Sequence, residues 1–415
     1  MRKSFLCTLM PFLAVSVLLT TGIAQTRPPV VLFPGYISTK LLVTVENQTV
    51  APDCPASGTF EAWVLSDQSN GFSPACRDQL MTLVYNRQPF LPMAQRFSEQ
   101  PGVAVTIKDY GKIESCPCPF YEDLYASLEA NGYTRNLNIR VAGYDWRLAP
   151  DMGGFLQRTI GLIEQTYADN GNTPVHLVAH SNGPLYTQYL LTHTSQAWKD
   201  KFIHGFTPIA GNWPGQGLLY SFLFTGFNIN DASYPADTES AKISALMFQS
   251  HPATYMSASD PTVFKDQEVV IQAGSAIYTP QHYRKLFRDA GMGLAQELGP
   301  YYIGFVRFRQ PPFFPNVDVY AEKGSGLDTL VGIGLPDLTV GQLLDDSTKF
   351  FFLPGDGSEE YITNDSVMAW KKMDCFHFEL NDNPGVDHVG LATNPGVVGR
   401  LLTNLQRVSS VCPDH

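Results

Sequence analysis

The stretch "VHLVAHSNGPLYTQYLL", residues 175–191, decides how the rest of the chain is read. Its first residues form a short apolar run of strand type, and "PLYTQYLL" reads as a helix. Between them stands His180-Ser181-Asn182-Gly183. A serine at so sharp a corner caps a helix, or it is a nucleophile raised on a strand-turn-helix elbow. The elbow needs small residues two places before and two after the serine, because larger side chains would collide with the adjoining strand and helix. Ala179 and Gly183 meet that need.

The alternation extends in both directions. Val30 to Phe33 reads as a buried strand stopped by Pro34-Gly35, and an irregular stretch rich in Pro, Ser and Asn runs from Glu46 to Gly102. "YEDLYASLEANGY" places Tyr121, Leu124, Tyr125 and Leu128 on one helical face, with Gly132 able to end the helix. "NLNIRVAGYDWRLAP" reads as a strand and a turn. "FLQRTIGLIEQTYADNG" reads as an amphipathic helix with Phe155, Thr159, Leu162, Ile163 and Thr166 on one side, and "KFIHGFTPIAG" is another strand. Strands separated by helices long enough to cross over predict an α/β fold with a mostly parallel sheet covered on both faces. From Trp213 to about Pro311 aromatic, Gly and Pro residues break the alternation. That segment reads as a cap inserted over the sheet, or as ordinary core helices. "NVDVYAEKG", "TKFFFLPGDGSEEYI" and "CFHFELNDNPGVDHVGLATNPGVVGRLLTNL" read as the last strands and the final helix.

A serine hydroxyl needs a base, and the base needs an orienting carboxylate. In folds of this type the chain order is serine, acid, histidine. Asp356 stands between two glycines after "FFFLP", and His388 ends a polar loop after "CFHFEL". The predicted triad is therefore Ser181, Asp356 and His388. His180 adjoins the nucleophile but points another way, and His377 lies in an apparent strand and reads as structural. Asp365, within a glycosylation sequon, and Asp374 are the competing acids. The acyl oxyanion needs two donors. The backbone N–H of Asn182 is one, and that of Tyr36 in "FPGYIS" is the other, where a plain turn is the alternative. Asp145 and Arg147 of "YDWR" read as structural, either as a buried ion pair that fixes a loop or as a solvent-exposed pair.

Lys plus Arg number 28 against 39 Asp plus Glu, for a formal charge of -11. Such a chain is a poor candidate for nucleic acid, which needs basic patches. "MRKSFLCTLMPFLAVSVLLTTGIAQ" has a basic start, an apolar run and then small residues including Gly22 and Ala24. Residues 1–24 therefore read as a cleaved signal peptide, with an uncleaved anchor helix as the other reading. Loss of Cys7 leaves Cys54, Cys76, Cys116, Cys118, Cys375 and Cys412, an even set that suits an oxidising compartment. Pairing is not legible from the sequence. The assignment adopted is Cys54 with Cys76 and Cys375 with Cys412. Cys116 and Cys118 would close a strained short loop, so they stay reduced or pair elsewhere. The cysteine spacing fits no zinc site and the histidines are scattered, so no metal or cofactor is expected. Asn47-Gln-Thr49 and Asn364-Asp-Ser366 are glycosylation sequons.

Seven stretches run in a recognisable order: "VVLFPG", "GYTR" at 132–135, "YDWRLAP" at 144–150, "LVAHSNGPLYTQYLL", "QAWKDKFI" at 196–203, "GDGS" at 355–358 and "DHVGLATNPGV" at 387–397. In these the chain resembles the lecithin:cholesterol acyltransferase and lysosomal phospholipase A2 family. The resemblance implies an α/β-hydrolase core in two parts, residues 25–212 and 312–415. It also implies a small membrane-contacting insert at about 46–102 and a cap with a mobile lid at 213–311. The implied chemistry is removal of a fatty acyl chain from a glycerophospholipid through an acyl-serine at Ser181, with transfer to water or to a lipid alcohol. The implied partner is a phospholipid membrane surface or a lipoprotein-like particle, and the implied location is secreted or the lysosomal or vacuolar lumen. Cys54 and Cys76 match the cysteines that close the family's membrane-contacting loop. A neutral-lipid or other ester hydrolase on the same fold, and a non-catalytic lipid-binding protein, are the alternative readings. The chain departs from the family at Asn182, where methionine is usual, at "PIAGNWPG" in place of "GAPWGG", and at "GDGSEE" in place of "GDGTV". The Cys54–Cys76 loop is also less apolar, which implies shallower or weaker interfacial binding.

Overall fold

Val30–Phe33 is four consecutive buried apolar residues, and the way it buries them shows how the core is layered. Val31 and Phe33 pack on one side with Leu185, Tyr186 and Leu190. Val30 and Leu32 pack on the other with Tyr121, Leu124, Leu128 and Leu401. A strand with apolar neighbours on both faces reads as an unbroken apolar run rather than an alternating one. The strands Val175–His180 and Ile203–Ile209 are likewise buried along their whole length.

The computed structural model describes residues 27–63, 70–226, 235–303, 314–410 and 412, and the expected signal peptide lies outside them. Six strands form the central sheet in the order Phe378–Pro384, Val319–Ser325, Ile203–Ile209, Val175–His180, Val30–Phe33 and Ile139–Val141. Every neighbouring pair runs parallel. Helix Phe155–Asp169 buries the five residues that its periodicity predicts. Helix Gly183–Thr192 is buried from Gly183 to Leu191, as expected of a helix that is apolar on nearly all sides. Truncating a fully buried leucine such as Leu190 to alanine here costs about 2–5 kcal/mol.

One expected core strand belongs elsewhere. Lys349–Gly355, from "TKFFFLPG", does not join the parallel sheet. It pairs antiparallel with Leu327–Leu335, which runs beside Ile271–Ala273 and, next to that, Ala276–Tyr278. The reason lies at Gly326. This single residue, at φ +82°, separates Val319–Ser325 from Leu327–Leu335. No crossover helix intervenes there, and a parallel partner requires one. The chain therefore turns away and starts a second sheet that draws two strands from the 213–311 segment.

The stretch from Glu46 to Gly102 is more regular than expected. Strand Leu41–Val45 pairs with Gly58–Ala62 on one side and Val103–Ile107 on the other. Helix Pro74–Met81 follows, capped by the Ser73 hydroxyl. Two disulfides form, Cys54–Cys76 and Cys375–Cys412, while Cys116 and Cys118 are buried free thiols with Sγ atoms 2.8 Å apart. His377 sits just before the Phe378–Pro384 strand rather than within it, with its ring exposed beside Glu379. No helix among the described residues is long and apolar enough to cross a membrane.

Of the two readings of "YDWR", the solvent-exposed one is overturned. Arg147 is fully buried. It grips the Glu99 carboxylate with both terminal nitrogens at 2.9 and 2.6 Å, binds Asp145 through Nε and Nη2 at 3.0 and 2.7 Å, and reaches the Met81 carbonyl at 3.2 Å. A planar guanidinium serves two carboxylates this way because its donors lie in a fixed fork. The pair fastens the end of helix Pro74–Met81 to the core.

Candidate active site

Ser181 sits between the end of strand Val175–His180 and the start of helix Gly183–Thr192, at φ +61°. That left-handed backbone costs a non-glycine residue about 1–3 kcal/mol. Two bonds hold it: the Ser181 amide donates to the Ile209 carbonyl at 3.0 Å, and the Asn212 amide donates to the Ser181 carbonyl at 2.9 Å. Gly183 is required by close approach. A Cβ there would lie 2.3 Å from the Phe33 carbonyl oxygen.

Asp356 follows strand Lys349–Gly355 and is fully buried. Its Oδ1 accepts the Ser358 and Glu359 amides at 3.0 and 2.7 Å, leaving Oδ2 for His388 Nδ1 at 3.2 Å. Burial alone would raise its pKa, but the His388 imidazole and the two amides outweigh that and hold it below the usual carboxylate range. An ionised carboxylate only accepts, so Nδ1 of His388 carries the proton and Nε2 is the free base position. The His388 amide also donates to the Asp356 carbonyl at 2.9 Å. Ser181 Oγ itself makes no hydrogen bond among the described residues. In unliganded sites such bonds are often long and tighten in the complex.

The oxyanion candidates flank the serine. Gly35 lies so close that a Cβ on it would be 3.1 Å from Ser181 Cβ, which places the Tyr36 turn against the nucleophile. Among the described residues neither the Tyr36 amide nor the Asn182 amide has an acceptor. Asn182 immediately precedes helix Gly183–Thr192, where backbone donors face outward and favour negative charge. Its side chain is buried, with Oδ1 accepting from the Ser257 hydroxyl at 2.8 Å and Nδ2 unpartnered. The Tyr36 hydroxyl is occupied by Thr254 at 3.1 Å, so only its backbone is available.

The competitors sit elsewhere. Asp365 is exposed and paired with Lys323. Asp374 is exposed. His180 is buried with both ring nitrogens engaged, one by Tyr121 and one by the His388 carbonyl, so it has no free nitrogen to act as base.

Sequence reasoning missed the buried acids behind Asp356. Glu268, Glu359 and Glu360 are all buried, and none has a salt bridge among the described residues. Glu360 accepts the Gly217 amide at 3.0 Å, and Glu359 accepts from Gln216 Nε2 at 3.3 Å. Burial pushes Glu360 up to about 7 against the opposing bond from Gly217. Burial, then the neighbouring carboxyls, raises Glu359 and Glu268 well above the usual range. The sequence signal was the "GDGSEE" departure, two extra acids beside the catalytic candidate. Among the described residues, no group of three or more His, Cys, Asp and Glu side chains is set to hold a metal ion.

The lecithin:cholesterol acyltransferase family model matches residues 60–301, more than half of the chain. The chain belongs to the lecithin:cholesterol acyltransferase family. Human lysosomal phospholipase A and acyltransferase is 28% identical to this family member over 397 residues, spanning 91% of this chain and 90% of that protein. Mouse phosphatidylcholine-sterol acyltransferase is 30% identical over 274 residues, 63% of this chain and 60% of that one. In solved structures, a chain of the Tle4-Tli4 complex superposes with a TM-score of 0.51 at 12% identity, covering 92% of this chain and 99% of that chain. With its parallel sheet, this family member has an α/β-hydrolase fold.

Proposed function

We propose that this chain is a serine-dependent phospholipase A and O-acyltransferase. The observation that carries the reading is Ser181 on a left-handed elbow beside a histidine whose Nδ1 is fixed by the buried Asp356. In this reading His388 Nε2 takes the proton as Ser181 Oγ attacks an ester carbonyl of a glycerophospholipid. Asp356 holds the tautomer and stabilises the imidazolium. The Tyr36 and Asn182 amides receive the developing oxyanion. His388 then returns the proton to the lysophospholipid oxygen as it leaves. Water or a lipid alcohol attacks the acyl-serine with His388 again as base, giving a fatty acid or a new ester. The substrate surface is a phospholipid membrane or lipoprotein-like particle, met in the secretory pathway or in a lysosomal or vacuolar lumen, in keeping with the named location of the human relative.

The test incubates the protein and Ser181→Ala with phosphatidylcholine liposomes carrying a lipid alcohol, at pH 5 and pH 7.5, with products resolved by mass. Serine-dependent lysophospholipid is expected, with free fatty acid marking hydrolysis and a new acyl ester marking transfer. Cleavage of neutral esters but not phospholipid in the same liposomes would overturn the phospholipid assignment.

A further inference from the structure

We infer that His180 and Tyr121 are positioning residues that tie the catalytic base and the oxyanion turn into one hydrogen-bonded chain. The inference rests on the triad reading above and extends it to two residues outside the triad. The Gly35 amide lies 3.1 Å from the Tyr121 hydroxyl, that hydroxyl lies 2.9 Å from His180 Nδ1, and His180 Nε2 lies 2.9 Å from the His388 carbonyl oxygen. All four residues are buried.

With the His180 ring neutral, the direction of every bond follows from chemistry. A carbonyl oxygen only accepts, so His180 Nε2 carries the ring proton. His180 Nδ1 is then an acceptor and takes the Tyr121 hydroxyl proton. The Tyr121 oxygen is left with lone pairs, and the Gly35 amide donates to one of them. No link can be reversed while the His388 carbonyl is at the end. His180 stays neutral to support this, because burial and then the neighbouring His388 push its pKa down to about 3.

What the chain joins gives it a role in catalysis. Both backbone groups of His388 are occupied: its amide by the Asp356 carbonyl and its carbonyl by His180. His180 is the residue before Ser181, so this bond sets the base relative to the nucleophile. At the other end, Tyr121 holds the Gly35 amide, which fixes the turn that lies against Ser181 and carries the Tyr36 amide. The Tyr121 ring meets the His180 ring edge-on at 5.6 Å, and the His180 and His388 rings lie 4.9 Å apart, so the links are also packed in place. A misplacement of about 1 Å at such a site lowers the rate roughly 100-fold.

The test uses Tyr121→Phe, His180→Leu and His180→Gln on a soluble p-nitrophenyl ester, which needs only Ser181 chemistry, alongside phosphatidylcholine liposomes. Tyr121→Phe and His180→Leu are expected to lower kcat on the ester by about 10- to 100-fold, with KM little changed and the melting temperature lowered by a few degrees through the buried groups left unpartnered. A boronic acid that mimics the tetrahedral intermediate should lose affinity by the same factor. His180→Gln, whose amide offers a donor and an acceptor at similar spacing, should recover most of the rate. Rates within twofold of wild type in both Tyr121→Phe and His180→Leu would overturn the inference. So would a loss that tracks the melting temperature and is shared equally by His180→Gln, since that is a purely structural role. Wild-type protein that cleaves the ester but not the liposomes would remove the phospholipid reading and leave this comparison intact.

Discussion

The two sides of Asp356 are built differently. Toward His388, both carboxylate oxygens, the His388 backbone and the His180 ring all have partners at 2.7–3.2 Å. On the far side, among the described residues, neither Glu268 oxygen reaches hydrogen-bond distance of a partner, with Ser259 and Glu360 its nearest polar neighbours, and one Glu359 oxygen is bare. A satisfied buried network holds one geometry, whereas buried carboxyls without cations persist by keeping their protons. The side proposed to do the chemistry is thus fixed by hydrogen bonds. On the side that holds the Gln216–Gly217 turn, burial shifts the carboxyls toward the protonated form.

The sharpest break on the first side is Ser181→Ala, expected to lower acyl-ester cleavage by about 10⁵-fold or more, read as product formed per hour on liposomes. Asp356→Asn comes next. It presents His388 with an amide that can hold the wrong tautomer, and kcat should fall about 10³- to 10⁴-fold, measured on the soluble ester with KM as the control. An equal loss in KM would show that the carboxylate orders the loop rather than the imidazole.

On the far side the effect is one of stability, and its sign runs opposite to that of a paired carboxylate. Glu360 holds its proton more tightly folded than unfolded, with a folded value of about 7. Its contribution is therefore complete below the ordinary glutamate range and is lost as pH rises from there through about 7. Glu360→Gln should leave the melting temperature at pH 5 nearly unchanged and raise it at pH 7.5, by an amount corresponding to about 3 kcal/mol at most. Equal melting curves for both proteins at both pH values would show that water or rearrangement solvates this carboxyl. The smallest effect is expected for Asn182→Met. The proposed oxyanion donor is the backbone amide, and among the described residues the side-chain Nδ2 is unpartnered, so kcat should stay within about threefold of wild type. A loss above tenfold would make the side-chain amide a participant.

Much of this was legible in the sequence for reasons that are local. Parallel strands buried on both faces are continuous apolar runs, and the elbow is betrayed by Ala179 and Gly183, because steric demand acts on neighbours in the chain. Asp356 and His388 could be named from flanking glycines and chain order. The partner of Lys349–Gly355 could not, since strand pairing is settled by residues far away and by the missing crossover at Gly326. Tyr121 read as an apolar face residue. Its ring is indeed core, and only the distant His180 and Gly35 reveal that the hydroxyl has work of its own. Glu359 and Glu360 look like surface acids in any linear reading, because burial without a counter-charge leaves no local trace.

Helix Pro74–Met81 is held at each end by ties of unlike chemistry, a disulfide at Cys76 and hydrogen bonds at the Met81 carbonyl, which His251 Nε2 also meets at 3.1 Å. Cys76 is bonded to Cys54, and Met81 offers its carbonyl to Arg147, which is itself clamped by Glu99 and Asp145. Reductant severs the first and leaves the second. Strong acid weakens the second and leaves the first, and Arg147 keeps the Asp145 carboxyl below its ordinary range even there. Leu80 and Met81, buried in the core, stay packed whichever tie is cut, so each insult alone loosens one end of the insert and leaves the other end held.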